Sequence, residues 1–158
     1  MNNPTLLTFS SLRQIHSRLY EQFFEHQEAL LEKDLSKAKD KLKQFVDLLL
    51  LHQKDEEELL MPLFCTAPNT AQDQKQLMME HKKLNTLLAQ YQEYLERISL
   101  SSTNLNRDII CLIDYETSFK HLLEHHDERE KTSFFPVLDQ MTTSAQKEQL
   151  IQLCLQRL

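Results

Sequence analysis

Glycine is missing altogether from these 158 residues, and only 4 prolines and 3 cysteines are present. Without glycine, backbone turns at positive φ carry a steric penalty, and the Asn-Gly signature of tight hairpins cannot occur. Glycine-rich loops that cradle phosphates or dinucleotides are excluded for the same reason. Long apolar runs are also absent: the cluster "VDLLLL" is far shorter than the roughly 20 residues a membrane span requires. A basic excess is lacking too. The formal charge is −6, the opposite of the positive footprint expected of a nucleic-acid binder. No basic stretch precedes an apolar one at the N-terminus, so secretion is not expected. Cys65, Cys111 and Cys154 are widely separated and form no Cys-x-x-Cys pair. Reduced, packed thiols in a cytoplasmic chain are the expectation.

What the chain does contain is Leu, Gln, Glu and Lys in abundance, all good helix formers. Its length fits one domain spanning residues 1–158. Apolar residues recur at helical spacing over four long segments. The first runs from about Ser10 to Lys33, with an alternative start at Pro4 capped by Asn3, and carries Leu12, His16, Leu19, Phe23 and Leu30. The second runs from about Asp34 to Phe64, with Leu42, Phe45, Leu49, His52, Glu56, Leu59 and Leu63 on one stripe. The third, from Thr70 to Leu100, carries Leu77, His81, Leu84, Leu88, Tyr91, Leu95 and Ile98. The fourth starts near Asn104 or Asn106 and ends near Pro136, with Leu112, Tyr115, Phe119, Leu122, His126 and Glu130. A short fifth helix is expected from Ser144, where Thr143 and Gln146 have the spacing of a capping box. Short connections force neighbours to run antiparallel, so the expected fold is an all-α, up-down-up-down four-helix bundle with a short C-terminal fifth helix.

One pattern is repeated. "HQKDEEELLMP" places His52, Glu56 and Pro62 at offsets that "HDEREKTSFFP" reproduces as His126, Glu130 and Pro136. Each long segment also has one histidine on its apolar stripe: His16, His52, His81 and His126. At about 1.5 Å of rise per residue, the paths between them through each turn agree within about three residues, or roughly 5 Å. Four inward imidazoles therefore share one layer. Glu56 and Glu130 lie one turn from His52 and His126 on the same faces. Two ionised carboxylates buried without partners would cost several kcal/mol each, and the stripes offer no Lys or Arg. A pair of cations satisfies all six groups. Imidazole suits iron, zinc or copper, and bridging carboxylates suit a two-metal centre. Asp55 competes with Glu56 as a ligand, but Arg129 occupies its matching position, so symmetry selects Glu56. The acidic run Asp55–Glu58 at a helix C-terminus also calls for a countercharge, with Glu57 and Glu58 free to be solvated.

These paired motifs, each preceded by a single histidine, resemble those of the hemerythrin-like, or HHE cation-binding, domains, over about His16 to Val137. The resemblance implies two non-haem iron ions with a bridging oxo or hydroxo group. His16, His52, His81 and His126 would be terminal ligands and Glu56 and Glu130 the bridges. Oxygen-carrying hemerythrins hold a fifth histidine one turn from the third-helix ligand; here those positions are Leu77 and Asn85. The four-His, two-Glu set looks more like that of bacterial di-iron proteins that repair iron–sulfur clusters damaged by nitric oxide or peroxide. The longer members of that group carry a cysteine-bearing N-terminal segment that has no match in this sequence. What this implies is a stress-response protein meeting nitric oxide, peroxide or oxygen, with an iron–sulfur protein as partner. Oxygen binding or sensing is the second reading, and a structural bundle with zinc or an empty site is the third. Nucleic acid and membrane are not expected as partners.

The remaining polar groups are read as structural. His121 and His125 point away from the His126 face, and His26 falls roughly 15 Å below His16 along the helix axis. Tyr20, one turn after His16, is read as a boundary residue. The Glu-x-x-His signature of ferritin-like carboxylate centres is missing, because Leu49, Met78 and Leu123 stand three residues before the histidines.

Overall fold

The computed structural model describes residues 6–158, and within them the chain is all-helical, with no strand. The proposed Asn3 cap and Pro4 start lie outside the described residues. A 3₁₀ turn at Phe9–Leu12 leads into α1 (Arg13–Leu31). Helix α2 (Leu35–Asp55) continues through a π segment, Glu56–Leu60, into the short α3 (Met61–Phe64). Helix α4 spans Ala71–Ser101. Helix α5 (Leu105–Arg129) continues through a second π segment, Glu130–Phe134, into α6 (Phe135–Met141), and α7 spans Ser144–Leu155.

The helix starts follow local chemistry. Asp34 accepts a hydrogen bond from the Lys37 amide at 3.0 Å, and Asn104 accepts one from Arg107 at 3.3 Å. Thr143 and Gln146 form the expected capping box. Each such cap contributes about 1 kcal/mol. The want of glycine shows at Lys33 and Asn69, which take φ of 59° and 61° where the chain leaves α1 and enters α4. That region disfavours a residue bearing Cβ.

Helix α1 packs along α2, and α4 along α5. Numbers rising along one helix meet numbers falling along its neighbour. His26 bonds the Ala38 carbonyl and His16 meets His52; Tyr91 bonds the Tyr115 carbonyl and Glu80 meets Arg129. The expected stripes of α1 and α4 are buried throughout. Two other stripes differ from expectation. On α5, Tyr115 is exposed and Leu122 half-buried, while Glu116 and Leu123 face the core. Beyond Glu56 the buried positions are Leu60, Met61 and Phe64, with Leu59 and Leu63 only half-buried. The π segment causes that second shift: one extra residue in the turn carries the inward face one position along.

The interior is layered. Phe23, Phe45 and Phe119 pack with centroids 5.1–5.6 Å apart. At the other end Phe64, Phe134 and Phe135 make a second aromatic group, and Phe135 stacks 6.3 Å from His16. Such pairs add roughly 0.5–1.5 kcal/mol each beyond area burial. A buried polar layer lies between the two. Helix α7 lies against the 3₁₀ turn, and Arg157 just beyond it grips Asp55 with two bonds of 2.8 and 2.9 Å. No helix among the described residues is long and apolar enough to cross a membrane.

Candidate metal centre

His52 and Glu56, and equally His126 and Glu130, stand at i and i+4 and so project from one helix face. Each glutamate also opens a π segment. The Met61 amide bonds the Glu56 carbonyl, and the Phe135 amide bonds that of Glu130. The prolines of the repeated motif account for this widening. Pro62 and Pro136 have no N–H, and in a regular α-helix each ring would strike the carbonyl four residues back. A turn with one additional residue relieves that contact. The fourth long helix therefore does not end at Pro136 as expected; Pro136 sits in the first turn of α6, which runs on to Met141.

The six expected residues converge. His16, His52, Glu56 and Glu130 have side-chain atoms all within 4.8 Å of one another, as do Glu56, His81, His126 and Glu130. Both glutamates belong to both quartets, and each divides its oxygens between them. Glu56 Oε1 is 3.0 Å from His52 Nε2, and Oε2 is 3.1 Å from His81 Nε2. Glu130 Oε2 is 2.9 Å from His16 Nε2, and Oε1 is 2.7 Å from His126 Nε2. Nε2 of His16 and His52 approach each other to 2.9 Å.

Within this layer Glu56 Oε2 is paired with His81 Nε2 and His16 with His52, but the remaining carboxylate oxygens are not satisfied. Glu56 Oε1 and both oxygens of Glu130 are buried without an aligned hydrogen bond, despite imidazole nitrogens at contact distance. No Lys or Arg reaches either carboxylate among the described residues. Lone pairs aimed at common points are what a cation would accept, and the donor set of neutral imidazole and carboxylate suits a transition metal.

Among the described residues, protons are the only countercharge available without a cation. Burial opposes charging His16, but Glu130, with Asp127 and Glu56 behind it, raises its pKa to about 9. Burial likewise opposes charging His126, yet Glu130 and Glu80 lift it well above the ordinary value. In turn, burial would push the Glu130 carboxyl up, and His126 and His16 outweigh it, holding it well below the usual range. Metal binding at this layer must therefore displace protons.

Three of the imidazoles have a carboxylate behind them. His81 Nδ1 meets Glu57 Oε1 at 2.7 Å, and His126 Nδ1 meets Glu80 Oε2 at 2.9 Å. His16 Nδ1 lies 3.3 Å from Asp127 Oδ1 without an aligned hydrogen bond, so only His81 and His126 have a partner placed to take an outward Nδ1–H. An Nδ1–H donated outward keeps the Nε2 lone pair pointing in. Glu80 is itself held by Arg129 and Gln76, each at 3.0 Å. Burial alone would raise the Glu80 carboxyl, but these donors, His126 first, bring it down to about 2.

Sequence reading left Glu57 as a solvated residue and did not single out Glu80 or Asp127. Each of the three adjoins a candidate ligand in sequence, and that adjacency is the signal that was open to use. The competitor Asp55 is turned to Arg157, and its counterpart Arg129 to Glu80. His121 and His125 are exposed, as expected. His26 is fully buried 2.9 Å from the Ala38 carbonyl and 2.5 Å from Glu116, which also accepts from Gln27 at 2.9 Å. Tyr20 is half-buried beside Asp127, and burial together with that carboxylate raises its phenol above the ordinary value. The expectation of packed thiols holds for Cys154 alone; Cys65 and Cys111 are exposed, because both lie outside the buried stripes.

A family model for the hemerythrin HHE cation-binding domain matches residues 8–139. No curated protein and no solved structure matches the chain.

Proposed function

The chain belongs to the hemerythrin HHE cation-binding family, and from that premise we propose that it holds two non-haem iron ions with a bridging oxo or hydroxo group inside an up-down-up-down bundle. His16 and His52 serve one ion, His81 and His126 the other, and Glu56 and Glu130 bridge the two. One observation carries this reading: each glutamate turns one oxygen to each histidine pair. A single-metal site would leave one quartet's worth of buried lone pairs unanswered.

We further propose a stress role, in which the centre meets nitric oxide, peroxide or oxygen and an iron–sulfur protein is the partner. Bound iron supplies redox chemistry and open coordination positions for a small molecule. The protein supplies a buried layer beside aromatic side chains, with the His81 and His126 imidazoles oriented by Glu57 and Glu80, and carboxylates kept ionised. Leu77 and Asn85, on either side of His81, favour this over oxygen carriage, because neither offers a further imidazole. Four donors per ion are also compatible with zinc, and that second reading rests on the quartet geometry.

Metal analysis of protein produced with iron supplied tests the first claim. About two iron equivalents per chain are expected from the two quartets. Less than one equivalent of any transition metal overturns it, and zinc in place of iron turns the reading to the alternative. Anaerobic reduction followed by titration with air, nitric oxide and peroxide tests the second claim. Spectra that respond to air alone, and reversibly, would reject the stress role.

A further inference from the structure

Six groups buried in a bundle need a way in. A cavity of about 560 Å³ lies between the start of α1 and the end of α5, walled by Ser10, Gln14, Ser17, Tyr20 and Asp127, with Arg13 exposed at its rim. The His16 imidazole forms part of its lining. His16 is also the most exposed of the six at 5%, against 0–3% for the others. A second cavity lies over the α4 and α5 side, lined by Gln76, Glu80, His125, Arg129 and Thr132. It reaches only Glu80, and there the Arg129 guanidinium is bonded to the carboxylate, a positive charge set against an arriving cation.

Both openings offer hydroxyls, an amide and carboxylate oxygen, Glu128 included in the second, and they differ in that the first alone is lined by one of the six groups, His16. The first presents hydroxyls, an amide and the Asp127 carboxylate, oxygen donors that can replace the waters of a divalent cation one at a time. Asp127 Oδ1 stands 3.3 Å from His16 Nδ1, so a cation held by this carboxylate is one imidazole away from the first quartet. His16 has cavity on one side, which gives its ring room to turn that His52, His81 and His126 are not shown to share.

We infer that divalent metal ions enter the centre through the cavity over His16, received by Asp127 and admitted by a turn of the His16 ring. This rests on the metal-binding reading above and adds the route. Asp127 is a positioning and capture residue, and the resident ligand set is unchanged.

The test is the rate at which the metal-free 158-residue chain takes up Co²⁺, followed in a stopped-flow instrument by the visible absorption of the bound ion. Ser17→Trp, which fills the exposed mouth, slows uptake severalfold and reaches the wild-type end point. Asp127→Asn slows it roughly tenfold, in keeping with loss of an attracting charge, and Asp127→Glu recovers the rate. Thr132→Trp, over the second cavity, leaves the rate unaltered. An unaltered rate in Ser17→Trp, or slowing by Thr132→Trp, overturns the inference. If the wild-type chain takes up no Co²⁺ at all, the end point fails and the metal reading falls with it, a result distinct from any change in rate.

Discussion

Two regions of this protein bury histidine with glutamate, and they behave differently. In the lower one, His26 and Glu116 are both fully buried, and their polar atoms are accounted for. One imidazole nitrogen faces the Ala38 carbonyl, the other faces Glu116, and the second carboxylate oxygen accepts from Gln27. In the upper one, four imidazoles and two carboxylates crowd together, and three carboxylate oxygens lack an aligned donor. Burial of His with Glu is therefore not enough to indicate a cation. A closed hydrogen-bond set acts as a fastening between α1, α2 and α5, whereas converging unanswered lone pairs define a binding site.

The difference can be broken most forcefully at the ligands. If the proposed two-iron centre is right, His52→Ala and His126→Ala should each lose at least one of its ions and the near-ultraviolet absorption of an oxo-bridged pair. His121→Ala and His26→Ala should keep full metal content. Metal analysis with absorption spectra decides it, and a normal spectrum in either ligand variant rejects the assignment.

The next effect is on stability. Glu116→Ala leaves a buried imidazole nitrogen without its hydrogen-bond partner, a change worth roughly 1–3 kcal/mol. Urea unfolding should show that loss while metal stoichiometry stays intact. If Glu116→Ala empties the centre as the ligand variants do, the two regions are not separable.

A smaller effect is expected behind the ligands. Glu80→Ala removes the carboxylate that orients His126 and should weaken metal binding by about 10–100-fold. Competition with a chelator measures it, and an affinity equal to wild type would make Glu80 a bystander.

The smallest effect separates the metal-free and loaded protein by pH. His16 is raised from 6.5 to about 9 in the metal-free chain, so its contribution is fully present below 6.5 and lost as pH rises through 9. Glu80 is lowered from 4.5 to about 2, so its contribution is present above 4.5 and lost as pH falls through 2. Between pH 6.5 and 9 the chelated protein should thus lose thermal stability. The loaded protein should hold or gain stability over that interval, because fewer protons compete for the imidazoles. Thermal melts with chelator and with metal compare the slopes, and slopes of the same sign would contradict the picture.

Much of the upper region could be read along the chain. His16, His52, His81 and His126 lie on stripes whose period is that of a helix, and equal path lengths through short turns put them at one height. Glu56 and Glu130 followed from their i+4 spacing. The lower region was only half visible: His26 stood on its stripe, but Glu116 was overlooked because Tyr115 beside it made the more apolar pattern. The shift from Leu59 and Leu63 to Leu60 and Phe64 was also missed, since spacing analysis assumes a uniform turn and Pro62 imposes a wider one.

Sequence alone determined that the chain is helical, the inward face of α1 and α4, and the six side chains that converge, four of them supplied by the repeated motif. Periodicity is a property of one helix, set by its own backbone geometry, and needs no knowledge of neighbours. Tertiary structure decided what each inward group meets. It paired Asp55 with Arg157 from the far end of the chain, set Glu57 and Glu80 on helices other than those of the imidazoles they hold, and divided the oxygens of Glu56 and of Glu130 between two histidine pairs. Those choices depend on how the helices are rotated and offset against one another, and that is decided by the packing of their side chains together.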